Sequence, residues 1–387
     1  MRARILHVVY SLEPGGMENG VINMANRLDA GQYEVGILFL EKEGGMAMRL
    51  PSHSRKFVLN KKAGLDFSIL PGLARAIGKF RPDIVHTHNL GPLIYTTLAR
   101  GLSQLAFQLV HGEHASMTRV DLHPKKRLQR ALLYTGCQAI HTVGKHMTSE
   151  LEAEGLAGQP ILTLSNGVDT DRFRPVADKK GLRKGVLGLA EDCRILSLVG
   201  RFGPYKGHKT LLEAFKVVGE GHPECQLVFV GGGGELEDTI KELSRLHPFS
   251  SRIHFTGFQP DPLPYYQLSD LVVVPSENEG LSNCILEAMA CGTPVLTNES
   301  CGATELVKDG TNGFINPTHQ PLGLARSIQG ILAKPTLELD SISAKSREFV
   351  CTYYSLDSMA SAYAGLYTRY SQPDGGGSLA KMGEAQK

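Results

Sequence analysis

The chain has 387 residues, which is too long for one ordinary hydrophobic core and suits two domains. Its 42% hydrophobic and 21% charged residues are typical of a soluble globular protein, and a formal net charge of +2 provides no global field that would attract nucleic acid. Seven scattered cysteines without a C-x-x-C pair argue against a disulfide framework and a structural zinc site. No stretch approaches the ~18 uninterrupted apolar residues of a membrane span, so we expect a cytoplasmic protein with reduced thiols.

Short apolar runs rich in β-branched residues alternate along the chain with helical patterns. A first series of such runs lies at residues 5–10, 34–40, 83–87, 107–111, 139–142 and 161–164. A second series lies at residues 194–199, 226–230, 253–256, 271–274 and 294–297. Continuous apolar strands that alternate with helices predict a parallel sheet covered on both faces, so the chain is predicted to contain two doubly wound α/β domains.

The two series meet near residues 166–185, where Asn166-Gly167 favours a turn and Arg174-Pro175 ends any helix. We assign residues 1–172 to the first domain and residues 173–355 to the second. The apolar spacing at residues 356–371 predicts a final helix, and the glycine-rich segment 372–387 is expected to be disordered. Ligands of such sheets bind beyond the carboxyl ends of the strands, so the loops after the strands are the candidate sites.

The loop after the first strand contains Gly15 and Gly16. Paired glycines let the backbone approach a ligand closely, and the helix that follows would point its N-terminus toward that ligand. The pattern is not G-x-G-x-x-G, so NAD binding is poorly supported. The residues alone leave a structural turn and a substrate loop equally open.

Histidines follow two further strands of the first series. Val110-His111-Gly112-Glu113-His114 ends one strand, but the spacing is not H-E-x-x-H and no third metal ligand is evident. A single histidine in such a position is usually structural. His86 and His88 end a neighbouring strand, and we favour a structural interpretation for them over an acceptor pocket.

Two cations, Arg201 and Lys206, follow the first strand of the second series in a loop with Gly200, Gly203 and Gly207. Fixed cations stabilise the growing charge of a leaving diphosphate better in the transition state than in the ground state. The alternative is a solvated basic loop, which is common in proteins.

The strongest signal is the segment from Pro275 to Pro294. A buried strand ends, an acidic loop carries Glu279 and Gly280, and a helix opens near Ser282, where free backbone N–H groups favour an anion. Glu287 lies within that helix. Helix propensity alone favours a solvent-facing role for Glu287.

These segments together resemble glycosyltransferase family 4, whose members are retaining enzymes with the GT-B fold. The resemblance extends from about residue 5 to residue 370 and is strongest at the Glu279 to Glu287 signature and at the Arg201 to Lys206 loop. It implies two Rossmann-like domains that face each other across a cleft, an N-terminal one for the acceptor and a C-terminal one for the nucleotide-sugar. It also implies that the last helix crosses back to the first domain.

The resemblance implies a role for each matching residue. The catalytic set would be His111, Arg201, Lys206 and Glu279, with Glu113 and His114 as secondary candidates. The donor-binding set would be Gly15, Gly16, Gly280, Leu281, Ser282 and Glu287. Ser282-Asn283 stands where the family often has Gly-Leu, and this difference leaves the sugar specificity open.

The resulting hypothesis is retaining transfer of a sugar from a nucleotide-diphosphate donor, by resemblance a UDP-sugar, to a glycan or lipid-linked acceptor. The resemblance is closest to bacterial exopolysaccharide-cluster enzymes. The alternatives are a nucleotide-sugar epimerase of GT-B shape and a non-catalytic sugar-nucleotide binder. An epimerase would interconvert sugars without an acceptor, and a non-catalytic relative would have no chemical need for the cations and glutamates together.

The same hypothesis includes expectations about metals and membranes. Asp169-Thr170-Asp171 has the form of a metal-binding D-x-D but follows a turn between the domains, so we interpret it as structural and expect no cofactor and no essential metal. We expect no nucleic acid partner. Basic clusters occur near Arg55 to Lys62 and Lys125 to Arg130, and such runs are usually solvated faces. If the two clusters share one surface, they could instead hold the protein in peripheral contact with the inner face of a membrane.

Overall fold

A computed structural model describes residues 2–103, 106–114, 123–158, 160–277 and 281–371. The predicted site residues Glu279 and Gly280 and the predicted disordered tail lie outside the described residues. The chain divides into two compact units, one formed by the residues up to Gly167 together with those from Leu356, and the other by Val168–Ser355. This division falls at Gly167, within the turn region from which the boundary at residue 172 was predicted.

The first unit contains a parallel seven-stranded sheet in the order β3-β2-β1-β4-β5-β6-β7. Its strands are β1 Ala3–Val9, β2 Tyr33–Phe39, β3 Arg55–Val58, β4 Ile84–His88, β5 Gln108–Glu113, β6 Ala139–Thr142 and β7 Ile161–Thr163. Its helices are α1 Gly16–Arg27, α2 Leu70–Phe80, α3 Leu90–Ser103, α4 Pro124–Tyr134, α5 Lys145–Ala153 and, from the end of the chain, α14 Leu356–Ser371.

Helices cover both faces of this sheet, which is why its central strands are continuous apolar runs. One core joins Ile5, Val9 and Val110 to α1 and to α14, which contributes Leu366 and Tyr367 among others. The core on the opposite face contains α2 and α3 together with the alternate residues of the same strands. The final helix is thus part of the first unit's core, although it follows the whole second unit in sequence.

The second unit contains a parallel six-stranded sheet in the order β10-β9-β8-β11-β12-β13. Its strands are β8 Arg194–Val199, β9 Cys225–Val230, β10 Ile253–Phe255, β11 Leu271–Val274, β12 Val295–Asn298 and β13 Phe314–Asn316. Its helices are α6 Lys179–Leu187, α7 His208–Gly221, α8 Glu237–Arg245, α9 Leu263–Leu268, α10 Asn283–Ala290, α11 Cys301–Leu306, α12 Pro321–Leu332 and α13 Thr336–Tyr353. The prediction of two Rossmann-like α/β domains is confirmed.

Strand order reverses direction at one place in each sheet, and these places locate the candidate sites. In the second unit the chain proceeds from β8 through β9 to β10 on one side, and then continues with β11 on the other side of β8. The loops after β8 and β11 therefore leave the sheet in opposite directions, which creates a crevice at its carboxyl edge. The corresponding place in the first unit lies between β1 and β4.

None of the helices within the described residues has both the length and the apolar character that a membrane crossing needs.

Candidate functional site

The loops that follow β8 and β11 lie against each other in the second unit. Gly207 ends the β8 loop with a φ of 75°, and a Cβ atom there would collide with the carbonyl oxygen of Pro275. The amide N–H of Glu277 donates a hydrogen bond of 2.9 Å to the carbonyl oxygen of Tyr205. The two segments in which the sequence predicts a diphosphate site and a sugar site therefore form one surface.

The backbone that carries Arg201 and Lys206 is held in place. Arg201 is exposed and Lys206 is half-buried. Between them Phe202 is fully buried, and its N–H donates to the carbonyl oxygen of Gly233 at 2.9 Å while its own carbonyl accepts from Leu236 at 3.1 Å. Because the phenyl ring and both hydrogen bonds fix the loop, the two cations can meet an anion with little rearrangement.

The first turn of α10 provides a second source of positive potential. Ser282 precedes the helix with extended backbone angles, and its hydroxyl lies 3.1 Å from Cys284 Sγ and does not cap a backbone amide. Leu281 is buried and anchors the start of the helix. Within the described residues no side chain caps this helix start, so its N–H groups are oriented as in an anion site.

Glu287 does not occupy a solvated helix face. It is half-buried in α10, and the hydroxyl of Tyr266 on α9 hydrogen-bonds to its carboxylate. Tyr266 is almost completely buried, and burial together with the neighbouring Glu287 charge raises the pKa of its phenol well above the ordinary value. The phenol therefore remains a donor that orients the Glu287 carboxylate at any physiological pH.

Gly15 and Gly16 begin α1 at the carboxyl end of β1. Gly15 is the extended residue before the helix and has no side chain to cap it. The Glu18 carboxylate folds over this position, so closely that it would collide with a Cβ atom on residue 15. An anionic ligand at this helix start would have to displace the Glu18 carboxylate, whereas a hydroxyl could hydrogen-bond to it.

His111 faces α4 and is completely buried. Its Nδ1 lies 2.9 Å from the hydroxyl of Thr87, and its Nε2 lies 3.3 Å from Glu113 Oε1. The same carboxylate oxygen accepts from Tyr134 at 2.7 Å and from Arg130 at 3.3 Å. Both ring nitrogens of His111 are thus engaged by protein groups.

The Glu113 carboxylate is ionised in this environment. Burial alone would raise its pKa, but the hydrogen bond and charge of His111, the charge of Arg130 and the hydrogen bond of Tyr134 outweigh burial and lower the pKa to about 2. Side chains on both sides of the ion pair are less than a tenth exposed. These contacts connect β5 to α4 through the Glu113 carboxylate.

Five other histidines cover the opposite face of the same strands, where α1 and α14 pack. Strand register explains the grouping, because His7 pairs with His86 across β1 and β4, and His141 pairs with Gly112 across β6 and β5. The five are His7, His86, His88, His114 and His141. His86 lies 2.8 Å from both Tyr367 Oη and His141 Nε2.

His114 is the member of this histidine cluster that directly follows β5. It is partly exposed, whereas His7, His86, His88 and His141 are at most 1% exposed. Its Nε2 lies 2.9 Å from His88 Nδ1, and its Nδ1 is buried without a hydrogen-bond partner among the described residues. Burial lowers the pKa of His114 to about 4, so its imidazole is neutral at pH 7.

Two groups of side chains are close enough to be considered for a metal ion. His7, His86 and His88 offer nitrogens within 4.8 Å of one another, as do the ligand atoms of His222, Glu224 and Cys225. In both groups two members already contact each other, His7 with His88 at 3.0 Å and His222 with Glu224 at 3.2 Å. These contacts engage one ring nitrogen each of His7, His88 and His222, whereas His7 Nε2 has no partner among the described residues. Asp169, from the D-x-D-like segment, accepts the backbone N–H of Asp171 and Arg172.

Two known family patterns match the chain. The pattern described as Glycosyltransferase Family 4 matches residues 14–172, and the pattern described as Glycosyl transferases group 1 matches residues 180–348. EpsD of Bacillus subtilis strain 168, which is named a glycosyltransferase, is 31% identical over 279 residues, or 68% of this chain and 71% of EpsD.

A second relative and a solved structure cover more of the chain. The UDP-Gal:alpha-D-GlcNAc-diphosphoundecaprenol alpha-1,3-galactosyltransferase of Escherichia coli is 26% identical over 331 residues, 81% of this chain and 84% of that enzyme. The crystal structure of Anabaena Alr3699/HepE in complex with UDP and glucose has a TM-score of 0.79 at 19% identity, over 94% of this chain and 99% of that one. Fold and sequence together define a glycosyltransferase with two Rossmann-like domains. The chain belongs to glycosyltransferase family 4.

Sequence reasoning did not find several residues of this arrangement. Tyr266 and Tyr134 lie on helices distant in sequence from the carboxylates they contact, and no spacing rule connects them. His88 was seen but interpreted as a strand end. The alternation His86-x-His88, in register with His7, is a signal that would have shown a shared sheet face.

His208, the first residue of α7, lies directly behind the predicted diphosphate loop. Its ring packs on Phe202 with centroids 4.3 Å apart, and it is 2% exposed. Neither ring nitrogen has a partner among the described residues. Burial, with a smaller contribution from the Lys206 charge, lowers the pKa of His208 to about 4.

We predict that His208 makes the second unit sensitive to acid. Below the ordinary histidine pKa of 6.5 the unfolded chain binds a proton at His208 that the folded chain does not, so the free energy of unfolding falls as the pH drops from 6.5 toward 4. In a His208→Leu variant the loss of stability between pH 7 and pH 5 should be smaller by about 2 kcal/mol. Urea denaturation at both pH values measures it, and an unchanged difference would contradict the assignment.

Proposed function

We propose that this protein transfers a sugar from a UDP-sugar donor, with retention of the anomeric configuration, to a glycan or lipid-linked acceptor in bacterial exopolysaccharide or cell-surface polysaccharide synthesis. The hydrogen bond from Glu277 to Tyr205 carries the proposal, because it joins the cationic loop to the acidic loop at the strand-order reversal. The UDP in the HepE structure and the diphosphoundecaprenol acceptor in the name of the E. coli relative support the donor and acceptor classes.

The proposed roles follow the chemistry of each group. Arg201, Lys206 and the first-turn amides of α10 neutralise the departing diphosphate. Glu287, oriented by Tyr266, accepts hydrogen bonds from the nucleotide ribose. Glu279 contacts the transferred sugar, and the leaving phosphate oxygen takes the acceptor proton on the same face. No cofactor and no essential metal ion enter this scheme, since fixed cations supply the charge.

In the first unit we assign the substrate contact to His114. His111 was the predicted catalytic histidine, but Thr87 and Glu113 occupy both of its ring nitrogens. We therefore propose that His111 holds Glu113 in place and that His114, with an unused Nδ1 at the strand end, meets the sugar or the acceptor. Gly15 and Gly16 contribute backbone amides at the start of α1.

Lys206 should be required for donor binding. The full chain is heated with UDP-, GDP- or ADP-glucose, and a ligand that binds only the folded protein raises the melting temperature. UDP-glucose should stabilise the wild type most. Loss of one charge-assisted hydrogen bond in Lys206→Ala should weaken UDP binding about 10- to 100-fold. Lys209→Ala is the control, because Lys209 is an exposed lysine close by in sequence, in the first turn of α7. Stabilisation by GDP-glucose but not UDP-glucose, or equal UDP binding by both variants, would contradict the proposal.

The product anomer tests the reaction type. With UDP-glucose and a synthetic N-acetylglucosamine-diphospholipid, the transferred glucose should keep the α configuration of the donor, as read from its anomeric proton by NMR. Glu279→Gln should lower transfer about 100-fold or more, because Glu279 is proposed to act on the reacting sugar. The exposed neighbour Glu277, which contributes only its backbone N–H, provides the control variant Glu277→Gln. A β-linked product would exclude retention.

We also propose peripheral contact between the first unit and an anionic membrane surface. The helices α2, α3 and α4 contain no acidic residue but carry Arg75, Lys79, Arg100, Lys125, Lys126, Arg127 and Arg130. Exposed leucines occur on two of these helices, Leu98 and Leu102 on α3 and Leu128 and Leu132 on α4. Basic and apolar groups without acids favour an anionic lipid surface.

The other predicted basic cluster does not contribute to this surface. Arg55, Lys56 and Lys61 pair with Glu34, Glu43 and Glu41, and Lys61 is buried. Arg130 is likewise buried against Glu113. Arg127 pairs with Glu154 at 2.9 Å. The membrane proposal therefore depends on the exposed leucines and on Lys125 and Lys126 of α4.

Vesicle binding should depend on α4. Co-sedimentation with phosphatidylglycerol vesicles should exceed that with phosphatidylcholine vesicles, and Lys125→Ala should weaken it about fivefold, since each cation near the surface contributes about 1 kcal/mol. Leu132→Ser should weaken it as well. Leu337→Ser, at a leucine on α13 that is 84% exposed, should have no effect. Equal binding to both lipids would refute the membrane contact.

A further inference from the structure

Three histidines of the cluster form a continuous hydrogen-bonded chain. His7 Nδ1 lies 3.0 Å from His88 Nε2, and His88 Nδ1 lies 2.9 Å from His114 Nε2. The two end nitrogens, His7 Nε2 and His114 Nδ1, are buried without partners among the described residues. This hydrogen-bonded series of three histidines thus runs from the core between β1 and β4 to the carboxyl end of β5.

All three imidazoles are neutral near pH 7. Burial lowers the pKa of His7 to about 3 and that of His114 to about 4, and burial together with the neighbouring histidines lowers the pKa of His88 well below its ordinary value. Three neutral imidazoles carry three ring protons on six nitrogens. Two of these protons lie in the two N–H···N hydrogen bonds, so the third must lie at one of the two ends.

The protonation of the two ends is therefore coupled. If His114 carries its proton on Nδ1, then His7 Nε2 is a bare lone pair. In that case His7 donates to His88 and His88 donates to His114, which we call the outward direction. If the proton is on His7 Nε2, then His114 Nδ1 is the bare lone pair and every bond is reversed. No single imidazole can change tautomer without the other two.

The environment of the two ends favours the outward direction. His7 is completely buried, so a proton on its Nε2 would be an N–H group that neither water nor a ligand can satisfy. A bare acceptor in the same position is less unfavourable. The Nδ1 atom of His114 is buried as well, but the residue as a whole is partly exposed at the strand end, so a ligand oxygen that binds there can accept its proton.

We propose that His7 and His88 fix the tautomer of His114, so that His114 presents an Nδ1–H donor to an oxygen of the substrate and His88 acts as a positioning residue. The substrate part of this inference rests on the role proposed above for His114, but the tautomer itself does not. In this arrangement His114 is a hydrogen-bond donor and not a general base. That agrees with proton transfer to the leaving phosphate.

The two amide substitutions of His88 separate its two hydrogen bonds. In His88→Asn the side-chain amide lies near the former Nδ1 and can still donate to His114 Nε2. In His88→Gln the amide lies near the former Nε2, where it can still accept from His7 but leaves His114 without a donor. His86→Asn is the matched control, because His86 belongs to the same cluster but bonds to Tyr367 and His141.

The direct test uses the full-length chain with ¹⁵N-labelled histidine and no substrate. NMR distinguishes protonated from bare ring nitrogens, and the His114 signals are identified by their loss in His114→Ala. We expect protonated Nδ1 and bare Nε2 in the wild type, in His88→Asn and in His86→Asn, and a mixture of tautomers in His88→Gln. A proton on Nε2 of His114 in the wild type, or an unchanged tautomer in His88→Gln, would overturn the inference.

A kinetic test reads the same coupling in the reaction, with UDP release from UDP-glucose as the measurement. His88→Gln should lower kcat about tenfold or more with little change in KM, as expected for loss of an outer positioning group, while His88→Asn should keep most of the activity. Equal losses in both variants would indicate a purely structural role and overturn the inference. If the wild type does not release UDP from UDP-glucose, that donor assignment fails, whereas the NMR result still decides the tautomer.

Discussion

The contact between Gly207 and Pro275 constrains the whole candidate site. Gly207 ends the loop after β8, Pro275 begins the loop after the neighbouring strand β11, and any side chain at position 207 would push those loops apart. The side-chain amide of Asn298 donates to the Pro275 carbonyl oxygen at 2.9 Å, so the β11 loop is held from the other side by β12. Close backbone packing thus allows a cationic loop and an acidic loop to share one surface, although electrostatics alone would not determine their spacing.

In the first unit, the residues of one strand and its end take part in two different groups of side chains on opposite faces of the sheet. Alternate residues of β5 point to opposite sides, so His111 and Glu113 form an ion-pair network with α4 while His114 joins the histidine cluster. Neutral imidazoles and an ionised carboxylate are thus only a few residues apart in sequence but lie in different electrostatic environments. Burial depresses the pKa of His114, while paired charges and hydrogen bonds depress that of Glu113.

Much of the fold was predictable because buried parallel strands appear in the sequence as continuous apolar runs. The central strands of both sheets were found in this way, and their loops contained the charged motifs. The edge strand Arg55–Val58 was missed, since it is largely exposed and begins with two cations that were interpreted as a surface cluster. The turn signals between residues 166 and 185 extend over many positions, so the sequence indicates a boundary region rather than a single boundary residue.

The candidate site was predictable in part, for a related reason. Glycines and charges in loops indicate where a ligand can bind, but sequence spacing does not reveal the direction of a side chain on a strand unless neighbouring strands are in known register. The family resemblance placed His111 ahead of His114 in the predicted catalytic set, and sequence alone could not show that its ring contacts Thr87 and Glu113. The contact between Tyr266 and Glu287 could not be predicted either, because the two residues lie on different helices and meet only in the folded structure.

The placement of α14 determines the order in which the protein can be built. The second unit is one uninterrupted segment, Val168–Ser355, whereas the first unit needs Leu356, Leu366 and Tyr367 to complete its core. During synthesis the second unit can therefore fold as soon as its own segment has emerged, while the earlier unit must wait with an open hydrophobic face until its last helix arrives. The exposed hydrophobic surface of the nascent protein therefore lies in the first unit, which is synthesised first. A premature stop after Ser355 would leave the core of the first unit incomplete, whereas the second unit, which ends at that residue, would keep its whole segment.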